Sequence, residues 1–226
     1  MTDLVEELRA ALAGASVPEL RRRTERLWRQ RQDRAGELFD ALVALWSRSP
    51  SDGEREIRMG IAMLLGAVAV KERAALEVMT TACADDPDWR VQEALAKGLD
   101  RHCALRGWQE SVPLLESWLT HAHPHVRRAA AEGPRVWTGR PYFADHPDQA
   151  LRLLGLVRAD ASSYVRKSAA NALSDISKKH PDLVLATLSG WTRTDPAGAW
   201  TIKNACRHLS KSHPDETARV LAELRE

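Results

Sequence analysis

The feature that most constrains this chain is a repeat of β-branched residues at a near-constant spacing. They follow one another at intervals of 34, 35, 39 and 37 positions, and they are Ile57, Val91, Val126, Val165 and Ile202. The third residue after each is Gly, Ala or Ser, which lets neighbouring helices approach closely. Periods of this length, with two helical stretches each and no strand signal, are typical of stacked antiparallel helix pairs. We therefore predict an all-α helical-repeat solenoid.

The length of the chain fits one such array. The 226 residues suffice for about five to six helix pairs. We expect a single repeat domain over residues 1–226, with capping helices at 1–50 and repeats over about 51–226. The longest apolar run, residues 59–70, is too short to cross a bilayer. A cytoplasmic chain is expected, with its three cysteines reduced rather than paired in disulfides.

In the segment DPDWRVQEAL (residues 86–95), an aspartate precedes Val91 and an alanine follows it three positions later. This arrangement resembles HEAT repeats. In most copies a basic residue follows the β-branched one, as in Arg58, Arg127 and Arg166. Such arginines often form a structural ladder with acidic residues of the next repeat. The alternative is that they contact phosphates of a nucleic acid. The sequence leaves both interpretations open.

Charge is distributed unevenly along the chain. Residues 121–226 carry 16 Lys and Arg against 11 Asp and Glu, a net charge of +5, whereas residues 1–120 carry −3. Seven of the eight histidines also lie in the second part. A repeat array with a basic C-terminal half indicates a polyanionic partner for that half.

Three segments together carry a family resemblance: VRRAAAEGPR (126–135), YVRKSAANALSDISKKHPDLVL (164–185) and IKNACRHLSK (202–211), with Trp200 just before the last. Over about residues 85–212 the chain resembles the bacterial DNA alkylation repair family. This family comprises HEAT-like alkylpurine DNA glycosylases of the AlkC and AlkD type, and the AlkC branch is nearer. The resemblance implies a C-shaped solenoid whose basic concave surface holds double-stranded DNA. It also implies excision of cationic N3- or N7-alkylated purines without metal or cofactor. We further expect a monomer that is nucleoid-associated when bound to DNA.

The resemblance places three carboxylates at acidic site positions of the family: Glu93, Glu132 and Asp175. They lie 2, 6 and 10 residues after the local β-branched residue, and each step of four residues climbs one helical turn on nearly the same face. We therefore expect a diagonal of carboxylates on one face of the array. Each acid also has a basic residue four positions away, so ordinary helix-surface ion pairs are the alternative.

Aromatic and basic residues complete the predicted site. Trp137, Tyr142 or Phe143 would contact the lesion-bearing nucleotide through a ring, with a loop aromatic that caps the core as the alternative for Trp137. Trp191 and Trp200 are weaker candidates. The predicted DNA contacts are Arg127, Arg128, Arg135, Arg140, Arg166, Lys167, Asn171, Lys178, Lys179, His180 and Arg207.

Other kinds of site lack a motif. His121, His123 and His125 alternate, but no Cys or carboxylate is spaced to complete a zinc site, so no metal is predicted. The chain has no phosphate-binding or dinucleotide-binding glycine motif and no GxSxG nucleophile motif. The sequence thus favours a DNA glycosylase that uses carboxylates. The alternative is a non-catalytic repeat scaffold that binds DNA or protein.

Overall fold

The computed structural model describes residues 2–50, 53–192 and 194–224. Over these residues the chain is built from helices and contains no strand, which confirms the all-α, HEAT-like class. It divides into two compact units, one up to Gly107 and one from Trp108 onward. Within the described ranges, no helix is long and apolar enough to cross a membrane.

The first unit is a stack of helix pairs. Its helices are α1 (Thr2–Leu12), α2 (Val17–Arg31), α3 (Ala35–Ser47), α4 (Arg55–Val68), α5 (Ala74–Val78) and α6 (Trp89–Arg106). Helices α2, α4 and α6 pack side by side, while α1 and α3 pack against each other and against α4. A π-helical turn, Met79–Cys83, continues α5.

The tightest contact in this unit joins α4 to α6. A Cβ atom added to Gly66 would lie 1.9 Å from the carbonyl oxygen of Gly98. A Cβ added to Gly98 would in turn lie 2.4 Å from the carbonyl oxygen of Ala62. Only glycine at these two positions lets the helix backbones touch, so the pair fixes the spacing of the two helices.

The second unit repeats the same two-layer plan. Its helices are α7 (Val112–Leu119), α8 (Pro124–Glu132), α9 (Pro141–Asp145), α10 (Pro147–Gly155), α11 (Ser163–Ile176), α12 (Pro181–Ser189), α13 (Pro196–Ala205), α14 (Leu209–Ser212) and α15 (Pro214–Glu223). Helix α11 packs between α8 and α13 in one layer, and α7, α10, α12 and α15 follow one another in the other. Many of these helices start at a proline, whose fixed φ suits the first helical position.

The repeat residues form the core, as their spacing predicts. The five β-branched residues are at most 2% exposed. The small residue three positions later is buried in every copy, from Gly60 in α4 to Ala205 in α13. Burial of one helix face in each period is what stabilises a stack of pairs that could not fold singly.

None of the three cysteines forms a disulfide, and all three are buried. Burial raises the pKa of the Cys206 thiol to about 11, and burial beside Asp86 also raises the pKa of Cys83. A buried thiol with a raised pKa is rarely ionised near neutral pH, so neither cysteine has the character of a nucleophile.

Candidate functional site

Helix α11 is mostly buried, but one of its faces is polar and reaches solvent. Val165, Ala169 and Leu173 pack into the core. Lys167, Asn171 and Asp175 lie four residues apart, and positions with that spacing share one side of a helix. Their exposure decreases along the helix: Lys167 is exposed, whereas Asn171 and Asp175 are half-buried.

Two of the three predicted carboxylates meet at this face. Arg135 donates from Nη1 to Oε1 of Glu132 at 3.0 Å and from Nε to Oδ2 of Asp175 at 3.5 Å. Lys178 Nζ lies 2.6 Å from the other oxygen of Asp175. The acids come from different helices of one layer, Glu132 from the end of α8 and Asp175 from the last turn of α11. One guanidinium therefore brings together residues 43 positions apart in the sequence.

The charges of this cluster are balanced but not sealed from solvent. The side chains of Glu132 and Asp175 are each 15% exposed, and that of Arg135 is 51% exposed. Burial alone would lower the pKa of Arg135, but the attraction of Glu132 and Asp175 outweighs it and raises that pKa. Arg135 remains a cation at every physiological pH, and half of its surface is available to a second anion.

The loop after α8 positions Arg135. Trp137 lies beneath it, fully buried, and its Nε1 donates to the carbonyl oxygen of Ala131 at 3.2 Å. Arg140 reaches back from the other side: Nη2 donates to the carbonyl oxygen of Arg135 at 3.2 Å, and its guanidinium lies 5.2 Å from the ring centre of Trp108. Arg140 thus holds the loop, and Arg135 is the cation that the loop presents.

The polar face of α11 continues onto the chain after α13. Arg207 Nη2 donates to the side-chain oxygen of Asn171, and its Nε donates to the carbonyl oxygen of Asn204 at 3.0 Å. At the other end of this face, Lys178 and Lys179 are exposed in the turn before α12, and half-buried His180 directly precedes that helix. Lys167, Lys178, Lys179 and Arg207 are thus exposed cations on or beside α11.

Glu93, the third predicted carboxylate, lies in the first unit, on α6. It lines a cavity of about 260 Å³ whose floor is apolar, with Met59, Met63 and Ala94. Trp89 also lines it, one turn before Glu93 on the same helix, and is 54% exposed. The cavity therefore combines an aromatic ring, an apolar floor and a carboxylate flanked by two cations, Arg90 and Lys97.

Arg127 and Arg166, two of the predicted DNA contacts, make hydrogen bonds within the fold. Arg127 makes two hydrogen bonds to Asp160, from Nε at 2.6 Å and from Nη2 at 2.9 Å, and Nη1 donates to two backbone carbonyls. Arg166 Nη1 likewise donates to the carbonyl oxygens of Asp160 and Ala161. All three side-chain nitrogens of Arg127 thus donate inside the fold, and Arg58 in the first unit is held in the same way by Asp86 at 2.7 Å. For Arg58 and Arg127 the geometry matches the structural ladder, since each pairs with an acidic residue of the next repeat, whereas Arg166 contacts backbone carbonyls just before its own helix.

Arg128 also departs from its predicted role. It is 3% exposed, and its guanidinium stacks 4.3 Å from the ring centre of Tyr164. A side chain at that depth cannot reach a phosphate from this conformation. Adjacent positions of a helix point about 100° apart. Arg127 therefore points elsewhere than Arg128, and it contacts the turn that precedes α8.

Two of the predicted aromatic contacts are core residues. Trp137 and Phe143 are fully buried and pack edge to face, 4.9 Å between ring centres. Neither ring offers a face to a nucleotide, and this burial corrects the prediction for both residues. Tyr142 is half-buried and packs on Phe143 and His146.

Two exposed aromatic residues were not predicted as main contacts: Trp89 was not named, and Trp200 was only a weaker candidate. Trp89 and Trp200 are the tryptophans among the exposed large hydrophobic residues, at 54% and 37%. Both stand two positions before an aligned β-branched residue, Val91 and Ile202. That shared register is the signal that could have identified them.

The alternating histidines act as local caps. His121 Nδ1 accepts from the backbone N–H of His123 at 3.0 Å, and His123 Nδ1 accepts from that of His125 at 3.2 Å. Over the described part of the chain, no group of three or more His, Cys, Asp or Glu residues is arranged to hold a metal ion.

Comparison with known proteins identifies the family. Residues 8–209 match the DNA alkylation repair enzyme family. The chain belongs to that family. The AlkD2 protein of Streptococcus mutans has a crystal structure that is 32% identical and superposes with a TM-score of 0.72, over 91% of this chain and 97% of that one. Helical solenoids of the AlkD and AlkC type thus share this fold.

The match to two further relatives spans a smaller share of each of those proteins. The alkylpurine DNA glycosylase AlkC of Pseudomonas fluorescens, solved bound to DNA containing an abasic site analog, is 26% identical with a TM-score of 0.68, over 96% of this chain and 59% of that one. The uncharacterised protein YhaZ of Bacillus subtilis is 41% identical over 107 residues, 46% of this chain and 30% of that protein. The chain therefore matches about three fifths of AlkC and less than a third of YhaZ.

Proposed function

We propose that this protein is a DNA glycosylase that removes cationic N3- or N7-alkylated purines from double-stranded DNA. The observation that carries the proposal is the meeting of Glu132 and Asp175 around Arg135, at a face lined with exposed cations. Membership of the DNA alkylation repair family supports it, as does the likeness to an alkylpurine DNA glycosylase solved on DNA.

The chemistry needs little more than a fixed anion and a water molecule. An N-alkylated purine already carries positive charge, so the bond between C1′ and the base nitrogen can break without protonation of the base. The electron pair leaves with the base, and positive charge develops on the deoxyribose, as in other glycoside hydrolyses. A preorganised carboxylate stabilises that charge, and water adds to C1′ as its proton passes to the carboxylate or to solvent.

Arg135 has a distinct part in this scheme. In the free protein it pairs with both carboxylates, and its contact to Asp175 is at the 3.5 Å limit of a hydrogen bond. The planar guanidinium can donate two parallel hydrogen bonds to the two non-bridging oxygens of a DNA phosphate. DNA binding would draw Arg135 toward a phosphate and leave Asp175 with the sugar. Lys178 would remain as the cationic partner of Asp175.

We also propose that Glu93, which lies in the first unit, is a carboxylate that takes part in the reaction. An alkylated purine is flat, apolar on its faces and cationic, and the cavity beside Glu93 offers matching groups. Trp89 would stack on the ring with a cation–π contribution, and Glu93 would attract the positive charge. Met59 and Met63 would supply apolar contact.

The exposed cations give a measurable electrostatic signature. Each phosphate contact releases counterions, so the logarithm of the binding constant should fall with the logarithm of salt concentration, with a slope of about −0.9 per contact. Lys179→Met should reduce that slope by about 0.9. Equal slopes for this variant and the wild type would remove Lys179 from the interface.

The decisive experiment measures release of methylated purine from alkylated duplex DNA. Asp175→Asn and Glu132→Gln keep side-chain size and remove one negative charge, so each should slow release by on the order of 100-fold. Glu116→Gln is the matched control: Glu116 forms an ion pair with Arg152 in the other layer of the same unit, at 3.1 Å. Full activity in Asp175→Asn would refute its assignment.

A second candidate, a non-catalytic DNA-binding scaffold, is favoured by one observation. Both carboxylates already have cationic partners within 3.5 Å, as ordinary surface acids do. Salt-sensitive DNA binding by the wild type without any base release would identify this function. Absence of DNA binding would instead indicate a scaffold for proteins, since the fold alone does not determine function.

A further inference from the structure

The two exposed tryptophans occupy equivalent places in the repeat. Trp89 starts α6 and lies two residues before Val91; Trp200 lies in α13, two residues before Ile202. An arginine stands over each ring: Arg90 lies 4.7 Å from the Trp89 centre, and Arg166 lies 5.6 Å from the Trp200 centre. The fold thus presents the same aromatic feature once in each unit.

The residue one turn later distinguishes the two places. Four positions after Trp89 is Glu93, a carboxylate, whereas four positions after Trp200 is Asn204, an amide. Residues with this spacing share one face of a helix, so each ring has that group beside it. Asn204 Nδ2 donates to the carbonyl oxygen of Trp200 at 2.8 Å. A neutral amide cannot stabilise developing positive charge as a carboxylate does, so the second place can bind without catalysing.

Besides Arg166 over the ring, exposed cations lie on α11, on α13 and in the chain just after α13. Lys203 is exposed three residues further along α13, and Lys167 is exposed next to Arg166 on α11. Arg207 is exposed and linked to Asn171 and to the carbonyl oxygen of Asn204. An exposed aromatic ring between positive side chains is the arrangement with which proteins hold single-stranded nucleic acid: the ring stacks on a base while the cations follow the phosphates.

We propose that Trp200, with Asn204, Lys203 and Arg207, forms a second, non-catalytic site that stacks an unpaired base of the DNA. The site rests on the proposed function, since DNA is its partner. A paired base inside a duplex has both faces covered by its neighbours, so only an unpaired base can lie on the ring. The site would bind strands that are gapped, frayed or displaced next to the duplex.

The test compares one oligonucleotide in two states. A fluorescein-labelled, mixed-sequence single strand without self-pairing and the duplex with its complement are titrated at one salt concentration, and Kd is read from fluorescence anisotropy. Loss of one base–aromatic stack should weaken single-strand binding of Trp200→Ala by about 5- to 150-fold. The loss for the duplex should be clearly smaller. Trp200→Phe keeps a ring and should recover most of the affinity.

Leu156→Ala is the matched control, because Leu156 is a 43% exposed apolar residue of the same unit that belongs to no proposed site. It should bind both DNAs as the wild type does. Thermal unfolding of each variant separates a binding defect from a folding defect.

The outcomes are distinguishable. A selective loss for the single strand in Trp200→Ala, recovered in Trp200→Phe, supports the site. Wild-type affinity of Trp200→Ala for the single strand overturns it, and so does an equal loss for single strand and duplex. If the wild type releases methylated purine but shows either of those results, the second site alone fails. If the wild type binds neither DNA, the proposed function fails with it.

Discussion

Replacement of Arg127 by methionine separates a structural role from a DNA-binding one. Methionine keeps much of the side-chain volume but removes the hydrogen bonds to Asp160 and to the carbonyl oxygens of His121 and Ala122. Asp160 would then lose its cation, although its side chain is only 6% exposed. If Arg127 has a structural role, the variant should lose stability and keep the salt dependence of DNA binding. A phosphate contact predicts the reverse.

The size of the loss follows from burial. Removing one partner of a buried ion pair costs about 3–5 kcal/mol, whereas exposed pairs contribute about 0–1 kcal/mol. Arg58 and Asp86 are 2% and 3% exposed at the side chain, so Arg58→Met should lose about 3–5 kcal/mol. Arg127 is 17% exposed, and its variant should lose somewhat less, about 2–4 kcal/mol.

The pH dependence gives a second check. The hydrogen bond to Asp160 raises the pKa of Arg127, although burial opposes it. A group with a raised folded pKa contributes its full stability below its unfolded pKa and loses it only as the pH rises through the folded value. Both values lie far above neutral pH, so titration of Arg127 adds no pH dependence near neutrality. The loss in Arg127→Met should therefore be similar at about pH 6 and about pH 9.

Urea unfolding followed by circular dichroism measures these losses. The control is Arg152→Met, because Arg152 and Glu116 are 44% and 45% exposed, and it should lose less than about 1 kcal/mol. The expected order of loss is Arg58→Met, then Arg127→Met, then Arg152→Met. An Arg127→Met protein with wild-type stability and a salt slope reduced by about 0.9 would refute the assignment of Arg127 to the ladder.

Three further predictions concern residues outside the ladder. Gly66→Ala should lose about 3 kcal/mol or more in urea unfolding, because its Cβ would collide with the backbone of Gly98 and the helices must separate. Burial lowers the pKa of His102, despite a hydrogen bond with the backbone of Gly66, so the unfolded chain binds its proton more readily. Stability should therefore fall as the pH drops below about 6.5, and His102→Gln should flatten that part of a thermal-unfolding profile. Trp137→Phe should lose about 1–3 kcal/mol of stability, since it leaves the carbonyl oxygen of Ala131 without its donor. Per folded molecule it should release base at the wild-type rate, and a large loss in that assay would restore Trp137 as a ligand contact.

The fold could be predicted from the sequence because its signal repeats. A β-branched residue and a small residue three positions later must face the core in each helix pair, so the same requirement recurs along the chain. Val126 and Val165, for example, are fully buried with Ala129 and Ser168 beside them. Repetition lets a weak local preference add up to a reliable pattern.

The partners of the carboxylates could not be predicted in the same way. Helical spacing places Lys179 one turn after Asp175, but in the structure Asp175 contacts Arg135 and Lys178, and Glu132 contacts Arg135. Arg135 lies in the loop after α8, where no periodicity applies, and its direction depends on the packing of Trp137 beneath it. Contacts between helices depend on the neighbouring repeat and not on the local sequence.

The net charge of residues 121–226 overstates how many of their cations are available to contact DNA. The basic excess of residues 121–226 includes arginines that the fold itself uses: Arg127 and Arg166 are bonded to the turn around Asp160, and Arg128 is stacked on Tyr164. Arginines of this kind serve the fold, so a count of basic residues includes cations that need not touch nucleic acid. Exposed lysines such as Lys179 instead reach solvent. Their contribution to the salt slope, and not the total charge, is therefore the quantity that measures how much of this surface meets DNA.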